Sequence, residues 1–294
     1  AALPSPYTFL GAAAISTSRI ALGTAVLPIV LDDAVRAAEE VSVLDHLSHG
    51  RVLLGLGKGV PSDSFHVFEA WKPDRDRNFE GKIDTLNWAL AGSRVEGGTA
   101  SIWPENEALV GREFVGSSNI DTIRYAARSG IGLILERFGN GPERTPAARA
   151  GFQERQAASV REYRRVFAET WGAERTPYVI TSRSTFPGAT TAQALAEAGD
   201  AAARWNEYAG QIGRTDLTQS RADQLLSDNF AWGDAEALAD DLLADPTIAL
   251  TDELVLGIHP VTHTIDETAE KARILIEEVV PLVEPRWRAA REEL

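Results

Sequence analysis

The sequence predicts an α/β fold built on a largely parallel sheet. Short apolar runs, rich in Leu or β-branched residues, alternate with longer stretches of helical periodicity, which is the pattern of repeated βα units. The runs are almost continuously apolar, as parallel strands covered on both faces are. The chain has 294 residues and is 44% hydrophobic, enough to bury one sizeable core. We therefore predict a single domain over residues 1–294.

Six of the apolar runs are predicted strands. They are Ile20–Ile29, Arg51–Gly59, Glu113–Ser117, Ile131–Phe138, Pro177–Ser182 and Glu253–Pro260. Helices are predicted between and after them, at Asp32–Leu47, Asp76–Ala91, Ile120–Ser129, Pro146–Trp171, Thr191–Ile212, Ala235–Ala244 and Ile265–Val280. Asp32 is a plausible N-cap, and Gly50 and Gly130 follow the ends of two helices. Six such strands fit an open doubly wound sheet as well as part of a closed barrel.

Composition excludes several classes of function. A formal net charge of −14 repels nucleic-acid backbones and anionic membranes. The absence of cysteine excludes disulfides, thiolate nucleophiles and thiolate metal sites. The five histidines do not form a metal-binding set. Neither a stretch of 18 apolar residues nor a secretory signal pattern is visible. We expect a cytoplasmic protein whose anionic ligands need a local cationic pocket.

Small residues mark the ends of the first two strands. Gly23, Thr24 and Ala25 end the first, and the second ends in Gly-x-Gly-x-Gly around Lys58. Barrel enzymes place their sites at such carboxyl ends, and a cation among small residues suits an anionic ligand. The glycine spacing is not that of a Rossmann fingerprint. Tight packing of the strand ends and a surface position for Lys58 are the alternative interpretations.

The third strand ends in a second candidate site. Gly116, Ser117 and Ser118 lead into a helix that contains Thr122. Backbone N–H groups and the positive end of the helix dipole at such a turn suit a phosphate. Ordinary N-capping by Ser118 or Asn119, which needs no ligand, is the alternative.

A longer pattern joins these motifs. Gly-Thr-Ala is followed by a helix with Arg36 and Glu39, then by Leu-Asp-x-Leu-Ser-x-Gly-Arg from Leu44 and the glycine-rich strand end. The pattern continues through Ser64-Phe-His-Val-Phe, Val115-Gly-Ser-Ser and Glu-Leu-Val-Leu-Gly-Ile-His-Pro. It resembles the luciferase-like flavin-dependent monooxygenase family over nearly the whole chain. The resemblance implies a (β/α)8 TIM barrel with insertions. Because six strands and no methionine are visible, we expect one or two N-terminal βα units to be missing.

The resemblance also implies a cofactor site. The flavin ring would lie against Gly23, Thr24 and Ala25, with a cis peptide between Ala25 and Val26. Relatives carry a basic residue at Lys58, near the flavin or a bound anion, and an arginine at Arg77 that reaches the phosphate. Arg77 lies in a run of charges and could equally be solvated. The implied phosphate site comprises Gly116, Ser117, Ser118 and Thr122.

The substrate pocket is less defined. Ser182 and Arg183 follow the fifth predicted strand, and His259 lies at the end of the last one. Arg183 could instead be an ion-pair partner on the rim. The segment from Gly139 to Gly151 is a candidate lid. Family members often hold a reactive histidine in a segment that precedes Ser5, so the catalytic residue is unknown.

The implied activity is oxidation of a small organic substrate with O2 and reduced FMN, which a separate reductase delivers. Hydride transfer with the deazaflavin F420 is an alternative within the same superfamily, and a non-catalytic flavin-binding or structural barrel is another. A homodimer is expected through the first-half helices, including Asp32–Leu47. The recurring Arg36, Glu39, Asp45 and Arg51 are interpreted as a polar network between helix and strand.

Overall fold

A computed structural model of the chain describes residues 5–59, 75–94, 98–137, 145–200, 230–258 and 264–292. The chain divides into two compact units. Unit 1 consists of Ala1–Ile134 and Tyr163–Tyr178, and unit 2 of Leu135–Glu162 and Val179–Leu294. The single domain over residues 1–294 stays a prediction.

Unit 1 alternates helices and parallel strands. In chain order it contains α1 (Pro6–Ser16), β1 (Leu22–Pro28), α2 (Ala34–Ser48), β2 (Val52–Gly57), α3 (Arg75–Leu90), β3 (Glu113–Gly116), α4 (Ile120–Ser129) and β4 (Gly132–Leu135), whose last residue opens unit 2. Each strand from β1 to β4 pairs with the next in parallel. The carboxyl ends of these strands therefore lie at one edge of the sheet, where Lys58 and the turn after β3 are.

Unit 2 is also built on parallel strands. Its elements are α5 (Pro146–Trp171, which ends in unit 1), β5 (Val179–Pro187), α6 (residues 191–200), β6 (Phe230–Gly233), α7 (Ala235–Leu243), α8 (Pro246–Ala249), β7 (Glu253–Ile258), α9 (Ile265–Ile274), a π-helical turn (Leu275–Val279) and α10 (Val280–Glu292). Strand β5 pairs in parallel with both β6 and β7. The parallel arrangement expected from the sequence is therefore present in both units.

The six predicted strands are all present, and two helices have the predicted bounds, Ile120–Ser129 and Pro146–Trp171. Helix α1 and the four-residue strand β6 were not predicted. Strand β5 was predicted to end at Ser182, but it continues to Pro187. Its polar residues stay in the sheet because hydroxyls bond internally: Thr185 Oγ1 donates to the Gly257 carbonyl oxygen at 3.2 Å.

The predicted helix caps are partly correct. Asp33, not Asp32, caps α2 by accepting from the N–H groups of Val35 and Arg36. The reason is a 3-10 turn over Ile29–Leu31 that ends on Asp32 and delays the helix. Gly130 ends α4 with a positive φ of 69°, as expected of a C-terminal glycine.

The recurring charged residues serve the structure of unit 1. Asp45 accepts from the N–H of Val52 and is ion-paired with Arg112 at 2.6 Å, which ties α2 to β2. Arg51 donates to the carbonyl oxygens of Ala14 and Thr17 and so fixes the end of α1. Arg36 pairs with Glu39 on the exposed surface of α2. The interpretation as a network between helix and strand holds for Asp45, whereas Arg51 ties β2 to α1 and Arg36 and Glu39 pair only within α2.

In each unit one face of the strands is covered by helices, and the opposite face is called the open face, although Phe114 and Ser184 on it are buried. In unit 1 the covered face carries buried side chains, at Leu22, Val52, Leu54, Leu56, Glu113, Val115 and Leu133. In unit 2, Leu254, Leu256 and Ile258 pack into the core formed with α7 and α10. Residues alternate between faces along a strand, so the intervening residues define the open faces of the two units. No helix in the described ranges is both long and apolar enough to cross a membrane.

Candidate cofactor site

The open face of unit 1 carries few side chains. Gly23, Gly55, Gly57, Gly116 and Gly132 lie on it. A Cβ at Gly23 would lie 2.4 Å from the Leu53 carbonyl oxygen, and one at Gly55 would lie 2.0 Å from the Thr24 carbonyl oxygen. Only glycine fits where neighbouring backbones approach this closely. Ile134 and Phe114 lie on the same face beside Gly55 and Gly132, so the exposed small residues are Gly23 and Ala25. These two lie in the first half of β1 and do not end the strand, which corrects the prediction, because β1 continues to Pro28.

Val26 occupies the space that two other glycines leave. A Cβ at Gly57 would lie 2.3 Å from Val26 Cγ2, and one at Gly116 would lie 2.8 Å from Val26 Cγ1. The peptide bond between Ala25 and Val26 is cis, as predicted. The alternative interpretation, that tight packing requires glycine, therefore holds for Gly55 and Gly57. At Gly116, a predicted phosphate contact, the side chain of Val26 likewise occupies the space that a Cβ would need.

Lys58 connects the two candidate motifs. It directly follows β2, and its Nζ donates to Thr122 Oγ1, in the first turn of α4, at 2.8 Å. The same ammonium lies 5.5 Å from the centroid of the Phe79 ring, close enough for a cation–π contact. Lys58 is half-buried, and its partner Thr122 is fully buried. Phe79 was not singled out from the sequence, because one apolar helix residue has no distinguishing signal.

The turn between β3 and α4 caps the helix and lies close to the Lys58 ammonium. Asn119 Oδ1 accepts from the N–H groups of Asp121 and Thr122, and Ser117 Oγ accepts from the Asn119 N–H. The alternative of ordinary capping, by Asn119, is therefore realised, while Ser118 is exposed. The positive end of the α4 dipole disfavours a cation such as Lys58 nearby. An anion bound at this place would offset that repulsion.

Three predicted features lie wholly or partly outside the described residues. His259 and the lid residues 139–144 are among them. The remainder of the lid segment, from Pro146, is the beginning of α5. Arg77 lies in α3, but its side chain is not described.

The two residues predicted for the substrate pocket lie on opposite faces of β5. Arg183 is only 1% exposed, because it points to the covered face and pairs with Asp245 at 2.7 Å. Its Nη2 also donates to Gln156 Oε1 at 2.9 Å. Burial lowers the pKa of Arg183, while Asp245 opposes that shift. The prediction that Arg183 ends a strand at the pocket is wrong, and its ion pair is internal rather than on the rim. Ser182 lies half-buried on the open face.

No group of three or more metal-ligating side chains occurs in the part of the chain that the structure describes.

The chain matches the family model described as luciferase-like monooxygenase over residues 1–251. An uncharacterized protein of Mycobacterium tuberculosis is 38% identical over 110 residues, 37% of this chain and 34% of that protein. Limonene 1,2-monooxygenase of Rhodococcus erythropolis is 35% identical over 31% of this chain and 24% of its own length. F420-dependent glucose-6-phosphate dehydrogenase of Beutenbergia cavernae is 33% identical over 45% and 42%. The matched stretches thus span a quarter to two fifths of these relatives.

Solved structures extend the similarity to nearly the whole chain. Monooxygenase RslO1 of Streptomyces bottropensis has a TM-score of 0.73 at 20% identity, covering 95% of this chain and 83% of that one. The F420-dependent tetrahydromethanopterin reductase of Methanopyrus kandleri has a TM-score of 0.65 at 16% identity, covering 94% and 87%. The oxygenating constituent of 3,6-diketocamphane monooxygenase from Pseudomonas putida, in complex with FMN, scores 0.67 at 14% identity, covering 95% and 84%. These likenesses confirm the predicted α/β fold of the TIM-barrel class. The chain belongs to the luciferase-like monooxygenase family.

Proposed function

We propose that this protein is a flavin-dependent oxidoreductase that uses reduced FMN and O2 to oxidise a small organic substrate. The observation that carries the proposal is the contact between Lys58 and Thr122 at the edge of a glycine-floored open face. It combines a cation with a helix N-terminus, which suit a phosphate, on a face where glycines would leave room for a planar ring.

The described residues fit such a cofactor. The Lys58 ammonium would hold the phosphate, with the exposed turn at Ser117 and Ser118 beside it. Gly23, Thr24 and Ala25 would support the ring, since Gly23 and Ala25 are exposed and add little bulk. Arg77 is retained as a predicted phosphate contact on the resemblance alone.

FMN would supply the redox chemistry when bound. The chain would contribute binding, orientation and exclusion of water. The hydrogen bond from Lys58 to Thr122 would fix the position of the ammonium group that holds the phosphate. No residue is assigned here as the catalytic acid or base.

Similarity to limonene 1,2-monooxygenase supports a monooxygenase reaction, and similarity to the FMN-bound camphane enzyme supports FMN. The F420-dependent relatives favour the second candidate, a hydride-transfer enzyme that uses F420. A cation at Lys58 serves the phosphate of either cofactor. Consumption of O2 in the presence of reduced FMN distinguishes the two, because F420 hydride transfer needs no O2.

We propose a cytoplasmic homodimer supplied by a separate flavin reductase. Support for the dimer comes from exposed apolar residues of α1 and α2, Phe9, Val43 and Leu47, which are 57%, 44% and 47% exposed, and from Trp103 in a loop, which is 83% exposed. Val43, Leu47 and Trp103 line a groove of about 490 Å³. Exposed apolar clusters of this kind mark association surfaces. A monomeric mass by sedimentation at micromolar concentration would overturn the dimer.

The function is tested by titrating the full chain with FMN and with riboflavin, which lacks the phosphate. FMN should bind at least tenfold more tightly, and Lys58→Met should remove about that factor, since a charge-assisted hydrogen bond contributes about 1.5–3 kcal/mol. Arg286→Gln, which changes an exposed ion pair with Asp240, is the control. Equal binding of both ligands contradicts the phosphate site. Failure to bind FMN and F420 favours the non-catalytic barrel.

A further inference from the structure

An arginine lies over the open face of unit 2. Arg137 follows β4 by two residues, and its Nη1 is 4.0 Å from the position that a Cβ would take at Gly257 in β7. Gly257 pairs with Ser184 of β5. Paired residues of parallel strands direct their side chains to the same face, so the guanidinium lies on the side opposite Arg183.

The residues on this face near Arg137 have small side chains, and two of them are partly accessible to solvent. Ser182 and Val255 are paired in register on the same face. Ser182 is half-buried and Val255 is 40% exposed, whereas Ser184 is fully buried. The absent side chain at Gly257 leaves space beside the guanidinium, because a Cβ there would make only ordinary contacts. A ligand group could therefore approach Arg137 with the Ser182 hydroxyl nearby.

The backbone before Arg137 is held by a buried network. Gln156 Nε2 donates to the Glu136 carbonyl oxygen at 2.7 Å, and Gln156 Oε1 accepts from Arg183. Arg183 in turn is paired with Asp245. Rigid support of this kind holds a binding side chain in place before a ligand arrives.

The one acidic position of β7 on this face is distant from Gly257. The acidic residue of β7 on it is Glu253, four residues before Gly257 and therefore about 13 Å away along the strand. A guanidinium has five N–H donors, so it can keep contacts with the protein and still bind an oxyanion through two parallel hydrogen bonds. Carboxylate and phosphate groups match that geometry.

We propose that Arg137, together with the Ser182 hydroxyl, binds the carboxylate or phosphate group of an organic substrate. The anion subsite lies within unit 2. Only the description of its ligand as a substrate rests on the proposed function. The inference replaces Arg183, which the sequence suggested for the pocket, with an arginine on the opposite face.

The test uses the full chain and calorimetric titration with hexanoate, hexyl phosphate and the neutral hexanamide. We expect at least one of the two anions to bind more tightly than hexanamide. Arg137→Gln should weaken that binding at least tenfold, Arg137→Lys should restore part of it, and Ser182→Ala should have a smaller effect. Arg286→Gln should have none. Circular dichroism verifies that the variants are folded.

Several outcomes overturn the inference. Binding of neither anion, equal binding of hexanamide, or unchanged anion affinity in both Arg137 variants contradicts the subsite. Loss of the preference for FMN over riboflavin in Arg137→Gln would assign Arg137 to the cofactor phosphate instead. If FMN binds normally and the anions do not, the inference fails while the proposed function stands. If the anions bind and FMN does not, the anion subsite stands while the proposed function fails.

Discussion

The two units bury ionisable groups on their covered faces in different ways. In unit 2, Arg183 and Asp245 are 1% and 2% exposed and neutralise each other. In unit 1, Glu113 is 1% exposed and burial raises its pKa to about 7. The Gly111 N–H, the Asn87 amide and the more distant Arg175 charge offset that shift only in part. In unit 2 a buried charge is therefore compensated by an oppositely charged partner, whereas in unit 1 the buried carboxyl group of Glu113 retains its proton up to a higher pH.

This difference shows why a charged residue in a strand is ambiguous from sequence. Arg183 and Glu113 both lie on covered faces and serve the core, whereas Lys58 and Arg137 follow strands and lie near open faces. The open faces also differ, since unit 1 offers glycines and unit 2 offers Ser182 and Val255. A planar ring suits the first and a polar organic group suits the second.

The largest expected effect comes from breaking the pair in unit 2. Arg183→Met leaves Asp245 buried without its partner and should lower the free energy of unfolding by about 3–5 kcal/mol. Adding Asp245→Asn should recover most of this loss, because the second change removes the stranded charge. The asparagine keeps a side-chain oxygen for the N-cap of α8, where Asp245 now accepts from Thr247 N–H. Urea denaturation measures both variants, and an equal loss in the double variant would contradict charge burial as the cause.

A pH-dependent effect is expected in unit 1. The folded state keeps the Glu113 proton up to about pH 7, while the unfolded chain loses it near pH 4.5, so unfolding releases a proton between these values. Stability should therefore fall as pH rises through this window, by up to about 3 kcal/mol. Glu113→Gln should flatten this dependence and stabilise the protein above pH 7. Denaturation at several pH values measures it, with the exposed Glu107→Gln as control; the same slope in Glu113→Gln would refute the assignment.

A smaller effect should come from filling the glycine floor. Gly57→Ala places a methyl group against Val26 Cγ2 and should cost about 1–3 kcal/mol of stability. Val26→Ala in the same chain should recover part of that cost, because it removes the obstructing methyl groups. Gly81→Ala, in the exposed part of α3 with no atom near its Cβ position, should instead stabilise by about 0.5–1 kcal/mol. Equal effects at the two glycines would show that packing against Val26 is irrelevant.

Most of the regular elements could be predicted from the sequence. Helices α4 and α5 have clear starting and ending signals, and their bounds were predicted correctly. Helix α1 was missed, and so was β6, which is too short to show a period. The end of β5 was misplaced because its serine and threonine residues look like a strand exit. Their partners, such as the Gly257 carbonyl oxygen, are distant in the chain.

The sequence by itself determined the alternation of strands and helices, the small-residue strand ends and the family resemblance, because these depend on local periodicity and spacing. Only the tertiary structure decided on which face of the strands each cationic side chain lies. Lys58 meets Thr122, 64 residues away, and Arg183 meets Asp245, 62 residues away. The physical reason is that adjacent strand residues point to opposite faces, so a one-residue difference separates the core ion pair of Arg183 from the half-buried hydroxyl of Ser182.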